Sequence, residues 1–151
     1  MDRFGRILLV EDDQNDVELI LTALREYNLA NEVVVTGDGA EALDFLYARG
    51  SFSSRSSANP AVILLDLKLP KVNGLEVLQK IKSDEQLKTI PVVVLTSSPE
   101  EKDRMKSYQL GVNAYVVKPV DFHDFVNAVK ELGIFWAVIN EPPPGSLKTV
   151  S

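Results

Sequence analysis

The sequence contains no cysteine and only one histidine, His123. The absence of cysteine excludes disulfide bonds, cysteine nucleophiles and the usual Cys/His zinc sites. A single histidine argues against a Ser-His-Asp triad, and we interpret His123 as a solvated residue in the first turn of the last predicted helix. The side chains that remain as candidates for acid, base or nucleophilic chemistry are the carboxylates.

Positive charge and long apolar runs are also scarce. Sixteen lysines and arginines stand against 22 aspartates and glutamates, a formal net charge of -6, and such a surface repels the backbone of nucleic acids. No apolar run has the length of a membrane span, the first ten residues lack the pattern of a signal peptide, and no G-x-G-x-x-G or P-loop motif occurs. We therefore predict a cytoplasmic protein with no nucleic-acid partner, no membrane partner and no nucleotide cofactor.

The 151 residues are enough for one domain with a sizeable core. Strand-length apolar runs alternate with segments of helical period, a pattern typical of βα units on a parallel sheet. Near-continuous Ile, Leu and Val in the first, third and fourth runs predict central strands covered on both faces. The five predicted strands are Ile7–Val10, Val33–Thr36, Ala61–Leu65, Val92–Leu95 and Ala114–Val117.

Helix starts are predicted where an N-cap residue is followed three positions later by an acidic residue. The pairs are Asp38 with Glu41, Asn73 with Glu76, Ser98 with Glu101 and Asp121 with Asp124, and Asp13 is expected to cap a helix near Gln14. Residues 49–59 contain five serines without periodicity, so we predict a mobile surface loop there. The ending EPPPGSLKTVS predicts an extended tail.

Five side chains follow predicted strands and can meet at one edge of the sheet. Glu11 and Asp12 follow the first strand, Asp66 the third, Thr96 the fourth and Lys118 the fifth. Ligands of an open doubly wound sheet bind where the winding reverses, and in the order 2-1-3-4-5 the first and third strands are neighbours at that point. Crowded carboxylates favour a hard divalent cation, of which Mg2+ suits the site best. A hydroxyl and an ammonium beside Asp66 would stabilise transferred phosphoryl oxygens, with the carboxylate as nucleophile.

Each of these residues also has an ordinary structural interpretation. Asp66 could cap the turn after its strand, and Asp12 could cap the first helix. Thr96 is of a type common at strand ends, and an aromatic residue such as Tyr115 in an edge strand usually packs. Three acids at adjacent strand ends without a metal are unfavourable, however, so the functional interpretation is preferred for them.

Four motifs, LLVEDD, LLDLKLPKVNG, VLTSS and AYVVKP, occur in this order and spacing. Together they resemble the receiver domain of two-component response regulators over about residues 5–136. The resemblance implies a flavodoxin-like (βα)5 fold, an α/β doubly wound parallel sheet with strand order 2-1-3-4-5. It also implies a protein that is not an enzyme beyond catalysing its own phosphorylation and dephosphorylation.

The resemblance assigns a phosphoryl acceptor and a metal site. Asp66 would accept a phosphoryl group from a phosphohistidine on a sensor histidine kinase or a phosphotransfer protein. Asp12 would hold Mg2+ directly and Glu11 would hold it through water, with Asp66 and the backbone carbonyl of Lys68 as further ligands. The pair Glu11-Asp12 departs from the family's frequent Asp-Asp pair.

The same resemblance assigns the residues that would respond to the phosphoryl group. Thr96 would be the switch hydroxyl that turns toward the phosphoryl oxygens, and Tyr115 would be its rotameric partner. Lys118 would bind the phosphate. By the same resemblance Lys68 and Ser98 would border the path of the hydrolytic water, so the lifetime of the phosphoaspartate stays open.

The domain prediction is a receiver over residues 1–136 followed by an extension with a Pro-rich tail over 137–151. A serine-containing loop and the ending GIFWAVINEPPP resemble stand-alone response regulators that partner phytochrome-type histidine kinases. The run from 134 to 139 is apolar on every side, so it either folds back on its own domain or joins the partner subunit of a homodimer, which we favour. The candidate interface residues are Ile134, Phe135, Trp136, Val138 and Ile139.

Two other functions remain open at this point. The chain could be a Mg2+-dependent phosphohydrolase of small phosphate esters with Asp66 as nucleophile, although Lys68 stands where a second acid would serve as general acid. It could also be an interaction module that no longer uses its phosphate site, although the set of acids, hydroxyl and lysine argues against that function.

Overall fold

The computed structural model describes residues 7–25, 33–54, 59–96 and 101–117. Strands and helices alternate through these ranges, as the apolar runs predict. The elements are β1 (Ile7–Val10), α1 (Gln14–Arg25), β2 (Val33–Thr36), α2 (Gly39–Leu46), a 3-10 helix (Gly50–Phe52), β3 (Val62–Leu65), α3 (Gly74–Ser83), β4 (Val92–Thr96), α4 (Glu101–Gln109) and β5 (Ala114–Val117).

The five strands form one parallel sheet in the order β2-β1-β3-β4-β5, which confirms the predicted order. β1 and β3 lie side by side, with Val10 opposite Leu65 at their carboxyl ends. β1, β3 and β4 are buried along their whole length, as expected of strands covered on both faces. β3 begins one residue later than predicted, and β4 continues one residue further, to Thr96.

The core has one layer on each face of the sheet. Alternate strand residues point to opposite faces, so Ile7 and Leu9 pack on the side of α1, whereas Leu8 and Val10 pack on the side of α2 and α3. α1 contributes Val17, Ile20 and Leu24 to its layer. The other layer contains buried residues from α2 and α3, namely Ala42, Leu43, Phe45, Leu46, Val77, Leu78 and Ile81.

Three helix starts have the predicted caps. The Asp13 carboxylate accepts hydrogen bonds from the N–H groups of Asn15 and Asp16, at 2.8 and 3.2 Å. Asp38 accepts from Glu41 N–H at 2.7 Å. α3 begins with a complete capping box, in which the side chains of Asn73 and Glu76 each accept a hydrogen bond from the other's backbone N–H.

The serine-containing segment is more ordered at its start than predicted. Ala48 and Gly50 adopt left-handed backbone conformations, with φ of 54° and 63°, and the chain then forms the 3-10 helix Gly50–Phe52. The Phe52 ring packs edge-on against Phe45 of α2, with ring centroids 5.2 Å apart. This ring contact ties the start of the segment to the preceding helix, and the mobility of the loop stays a prediction.

Several predictions fall outside the described residues. These are the helix starts at Ser98 and Asp121, the residues Lys118 and His123, the domain boundary after residue 136, the apolar run 134–139 and the Pro-rich tail. Among the residues that the structure does describe, no helix has the length and apolarity of a membrane span.

Candidate functional site

Three acidic side chains meet at the carboxyl edge of the sheet. Glu11 and Asp12 directly follow β1, and Asp66 directly follows the neighbouring strand β3. Each offers a carboxylate oxygen, and these oxygens all lie within 4.8 Å of one another. Glu11 and Asp66 are 2% and 5% exposed, whereas Asp12 is exposed. The structure thus brings together the three acids that the strand order places at one edge.

The sheet backbone holds this acidic cluster of Glu11, Asp12 and Asp66 in place. Glu11 N–H donates to the Thr36 carbonyl, and Asp66 N–H donates to the Val10 carbonyl, both at 3.0 Å. These bonds continue the strand pairing one residue beyond β1 and β3. The Glu11 carboxylate also accepts from the N–H of Asp13 at 3.1 Å. The sheet therefore fixes the backbone positions of the two buried acids.

The electrostatics of the acidic cluster favour a cation. Carboxylates at this range repel one another, and burial of two of them reduces the screening by water. Carboxylate oxygens are the ligands that hard divalent cations prefer. The donor set thus fits an ion of the Mg2+ or Mn2+ type.

The segment 66–74, which we call the acceptor loop, orients the Asp66 carboxylate. The Lys68 N–H donates to Asp66 Oδ1 at 3.2 Å, while the Lys68 side chain is exposed. One carboxylate oxygen is thus engaged by backbone from its own loop. Metal ligation by the Lys68 carbonyl stays a prediction.

Thr96 and Tyr115 lie on adjacent strands. Thr96 is fully buried at the end of β4, and Tyr115 lies opposite Val94 in β5. Because Val94 and Thr96 are two residues apart, their side chains share a face of the sheet, and Tyr115 packs against the core layer that contains Val94. Thr96 and Tyr115 are therefore on the same face, two register positions apart.

A contact that the sequence did not indicate joins α4 to β5. The Arg104 guanidinium stands over the Tyr115 ring, 5.4 Å from its centroid. This distance is within the range of a cation–π interaction. The two residues are eleven apart and share no motif, so only the packing of α4 beside β5 identifies the pair.

A comparison with protein families matches the response regulator receiver domain to residues 7–130. The chain belongs to the response regulator receiver family. This membership confirms the resemblance carried by the four motifs, and the strand order of the sheet agrees with the flavodoxin-like fold that the resemblance implies.

Similar proteins of this family are phytochrome response regulators. The bacteriophytochrome response regulator RtBRR is 67% identical, with 93% of this chain and 85% of that chain covered and a TM-score of 0.80. The phosphorylated cyanobacterial phytochrome response regulator RcpA is 42% identical, covers 93% of this chain and 99% of its own, and has a TM-score of 0.75. The predicted similarity to phytochrome-associated regulators is confirmed.

A third relative has a solved structure with a bound metal ion. Response regulator Rcp1 of Synechocystis sp. is 42% identical over 130 residues, which are 86% of this chain and 87% of that protein. The structure of Rcp1 in its Mn2+-bound form covers 96% of this chain and 98% of its own, with a TM-score of 0.73 at 38% identity.

Proposed function

We propose that this chain receives a phosphoryl group on Asp66 in a Mg2+-dependent reaction and signals through protein–protein contacts. The observation that carries the proposal is the meeting of Glu11, Asp12 and Asp66 within 4.8 Å at the end of β1 and β3. The donor is a phosphohistidine of a sensor histidine kinase or of a phosphotransfer protein. The phytochrome regulators among the relatives support a kinase of the phytochrome type.

The transfer needs a carboxylate that is oriented and ionised. An Asp66 oxygen attacks the phosphorus, a P–O bond forms, and the P–N bond to the donor histidine breaks, which leaves the imidazole to take up a proton from water. The product on this chain is an acyl phosphate. The N–H of Lys68 on Asp66 Oδ1 helps to orient the nucleophile for this step.

The acids supply a metal site beside the nucleophile. Asp12, Asp66 and the carbonyl of Lys68 are the proposed direct ligands of Mg2+, and Glu11 is proposed to hold it through water; when bound, the ion would neutralise the charge that builds up on the phosphoryl oxygens. Lys118, next after β5, is proposed to bind the same oxygens, and it lies outside the described residues.

The response is proposed to run through Thr96 and Tyr115. The Thr96 hydroxyl would turn toward the phosphoryl oxygens, and the Tyr115 ring would move into the space beside it. Their shared face of the sheet supports this coupling. The result would be a changed surface at α4 and β5.

The test of the acceptor is labelling of the whole chain with a radioactive phosphoryl donor, either a phosphorylated histidine kinase or a small phosphoramidate, in Mg2+. We expect at most one phosphoryl group per chain, and none in Asp66→Asn or after chelation of Mg2+. Asp44→Asn, which changes an exposed carboxylate on α2, is the matched control and retains the label. Equal labelling of Asp66→Asn and wild type contradicts the proposal.

Two further measurements separate the other two functions. Catalytic turnover of small phosphate esters, with many phosphates released per chain, would indicate a phosphohydrolase. Unchanged signalling by Asp66→Asn in cells would indicate an interaction module that does not use phosphate.

We also propose that the chain forms a homodimer through Ile134, Phe135, Trp136, Val138 and Ile139. These residues lie outside the described ranges, so the proposal rests on their apolar pattern. Light scattering of the full chain with and without beryllofluoride measures the mass of the assembly. Trp136→Glu is expected to give a monomer, and a dimer of unchanged mass would contradict the assignment.

A further inference from the structure

The first residue of α2 lies against the backbone of the acceptor loop. A Cβ atom added at Gly39 would lie 2.0 Å from the Val72 carbonyl oxygen and 2.8 Å from Val77 Cγ2. Real Cβ atoms essentially never approach other heavy atoms to within 3.0 Å. Gly39 does not have a left-handed backbone, so the close approach, not the torsion angle, requires glycine here. Any larger residue must move α2 away from the loop or move the loop.

The acceptor loop has little capacity to absorb such a push locally. Gly74 N–H donates to the Leu67 carbonyl at 2.8 Å, which closes the loop across its base. A Cβ at Gly74 would lie 2.3 Å from the carbonyl oxygen of Asp66, so the two ends of the loop are in direct contact. Lys71, beside Val72, already has a left-handed backbone, with φ of 66°. A displacement of the loop at Val72 would therefore be passed toward Asp66.

A second contact joins the same two segments. Lys71 Nζ lies 3.5 Å from Oδ2 of Asp38, the N-cap of α2. Lys71 is 69% exposed, so this ion pair contributes little by itself. It shows, however, that neighbouring residues 38 and 39 contact neighbouring residues 71 and 72, with the steric contact of Gly39 as the stronger constraint.

We infer that Gly39 is a positioning residue for the metal site, acting through Val72 on the acceptor loop that carries Asp66 and Lys68. The inference rests on the proposed function, because it concerns the Mg2+ site of Glu11, Asp12 and Asp66. Metal ligands must be placed to within a few tenths of an ångström, and residues that orient them without touching the ion affect affinity strongly. The atoms nearest to a Cβ at Gly39 belong to Val72 and Val77, not to the three acids.

The test compares Gly39→Ala with Gly37→Ala in the full chain. A Cβ at Gly37 would meet only Glu41 Oε1, at the ordinary contact distance of 3.8 Å, so this variant is the matched control. Binding of Mn2+ is measured from the loss of the electron paramagnetic resonance signal of the free ion. We expect the Kd of Gly39→Ala to rise about tenfold or more, and that of Gly37→Ala to stay within about twofold of wild type.

Stability of each variant is measured by urea unfolding without metal. A Gly39→Ala variant that is destabilised but binds Mn2+ like wild type overturns the inference, because the glycine then has only a structural role. If Gly37→Ala weakens Mn2+ binding as much as Gly39→Ala, the contact with Val72 is not the cause and the inference is also overturned. Failure of the wild-type chain to bind Mn2+ overturns the metal site itself.

A measurement on the wild-type chain covers the case in which Gly39→Ala does not fold. Coupling between two sites is reciprocal, so Mg2+ must protect the start of α2 if the start of α2 positions the metal site. Hydrogen exchange of the Glu41 and Ala42 amides, which both bond to Asp38, is expected to slow by about fivefold more than that of the Tyr47 amide at the other end of the helix. Equal slowing at both ends of α2 overturns the inference.

Discussion

The phenolic hydroxyl of Tyr47 donates a hydrogen bond to Oδ2 of Asp84 at 2.7 Å, and this bond joins the C-terminal ends of α2 and α3. The bond holds the pKa of Asp84 below its ordinary value of 3.8, with the Gln86 N–H as a second cause. It also raises the pKa of Tyr47 above its ordinary value of 10.0. The pair is therefore most favourable with an ionised aspartate and a neutral tyrosine.

The first prediction concerns Tyr47→Phe and pH. Because the pKa of Asp84 is lowered on folding, its stabilising effect is present above pH 3.8 and is lost as pH falls through the lowered pKa. Because the pKa of Tyr47 is raised, its effect is present below pH 10.0 and is lost as pH rises through the raised pKa. Tyr47→Phe is expected to be less stable than wild type between these limits and to converge with it outside them.

Urea unfolding of both proteins across this pH range measures the difference. Tyr108→Phe, which changes a half-exposed ring on α4, is the control and should show no such profile. A difference between Tyr47→Phe and wild type that stays constant from acid to alkaline pH would contradict the role of the hydrogen bond.

The second prediction concerns Asp12, the exposed member of the acidic cluster. Without divalent ions, Asp12→Asn is expected to raise the free energy of unfolding by about 1 kcal/mol, because it removes a like charge close to two buried ones. With Mg2+ at about a hundred times its Kd, wild type is expected to gain about 2.7 kcal/mol, and Asp12→Asn to lose most of that gain. Thermal unfolding with and without Mg2+ tests both parts. Glu18→Gln on α1 serves as the control and is expected to respond to Mg2+ like wild type.

The third prediction is a coupling energy between Arg104 and Tyr115. A double-mutant cycle with Arg104→Ala and Tyr115→Leu is expected to give about 0.5–1 kcal/mol, the usual strength of an exposed cation–π pair. Lys106→Ala, which removes another exposed charge from α4, is the control and is expected to show no coupling to Tyr115→Leu. Additive effects of Arg104→Ala and Tyr115→Leu on urea unfolding would rule out an energetic link between α4 and β5 at this contact.

The fourth prediction contrasts two leucines. Leu64 in β3 is fully buried between β1 and β4, and Leu64→Ala is expected to cost about 2–5 kcal/mol. Leu19 on α1 is 60% exposed, and Leu19→Ala is expected to change stability by less than about 0.5 kcal/mol. Urea unfolding of the two variants measures both values, and similar losses would contradict the assignment of the core.

The strands were predictable because each contains a short apolar run, and β1, β3 and β4 are in addition buried along their whole length. β1, β2 and β5 have the predicted bounds, and the two differences, at Ala61 and Thr96, are single residues at strand ends. The acidic cluster was predictable because the winding of a parallel sheet brings the ends of particular strands together. Glu11, Asp12 and Asp66 needed no knowledge of side-chain packing to be placed at one edge.

What the sequence did not predict depends on backbone conformations and contacts that leave no local pattern. The 3-10 helix after α2 requires Ala48 in a left-handed conformation, which alanine rarely adopts, and a ring contact between Phe45 and Phe52. The Tyr47–Asp84 bond spans 37 residues. The need for glycine at residue 39 arises from the path of the acceptor loop, and no pattern in the preceding residues indicates it.

The pairing of β1 with β3 protects the acidic cluster against errors of strand register during folding. Ile7 and Leu9 fill one core layer, and Leu8 and Val10 fill the other. If β1 slipped by one position against β3, each of these side chains would enter the wrong layer, and the acids that follow would shift by about 3.3 Å along the rim. The packing of β1 in the two core layers thereby selects the register that aligns Glu11 and Asp12 with Asp66. A chain that has buried its strands in this register has also brought its three acids together.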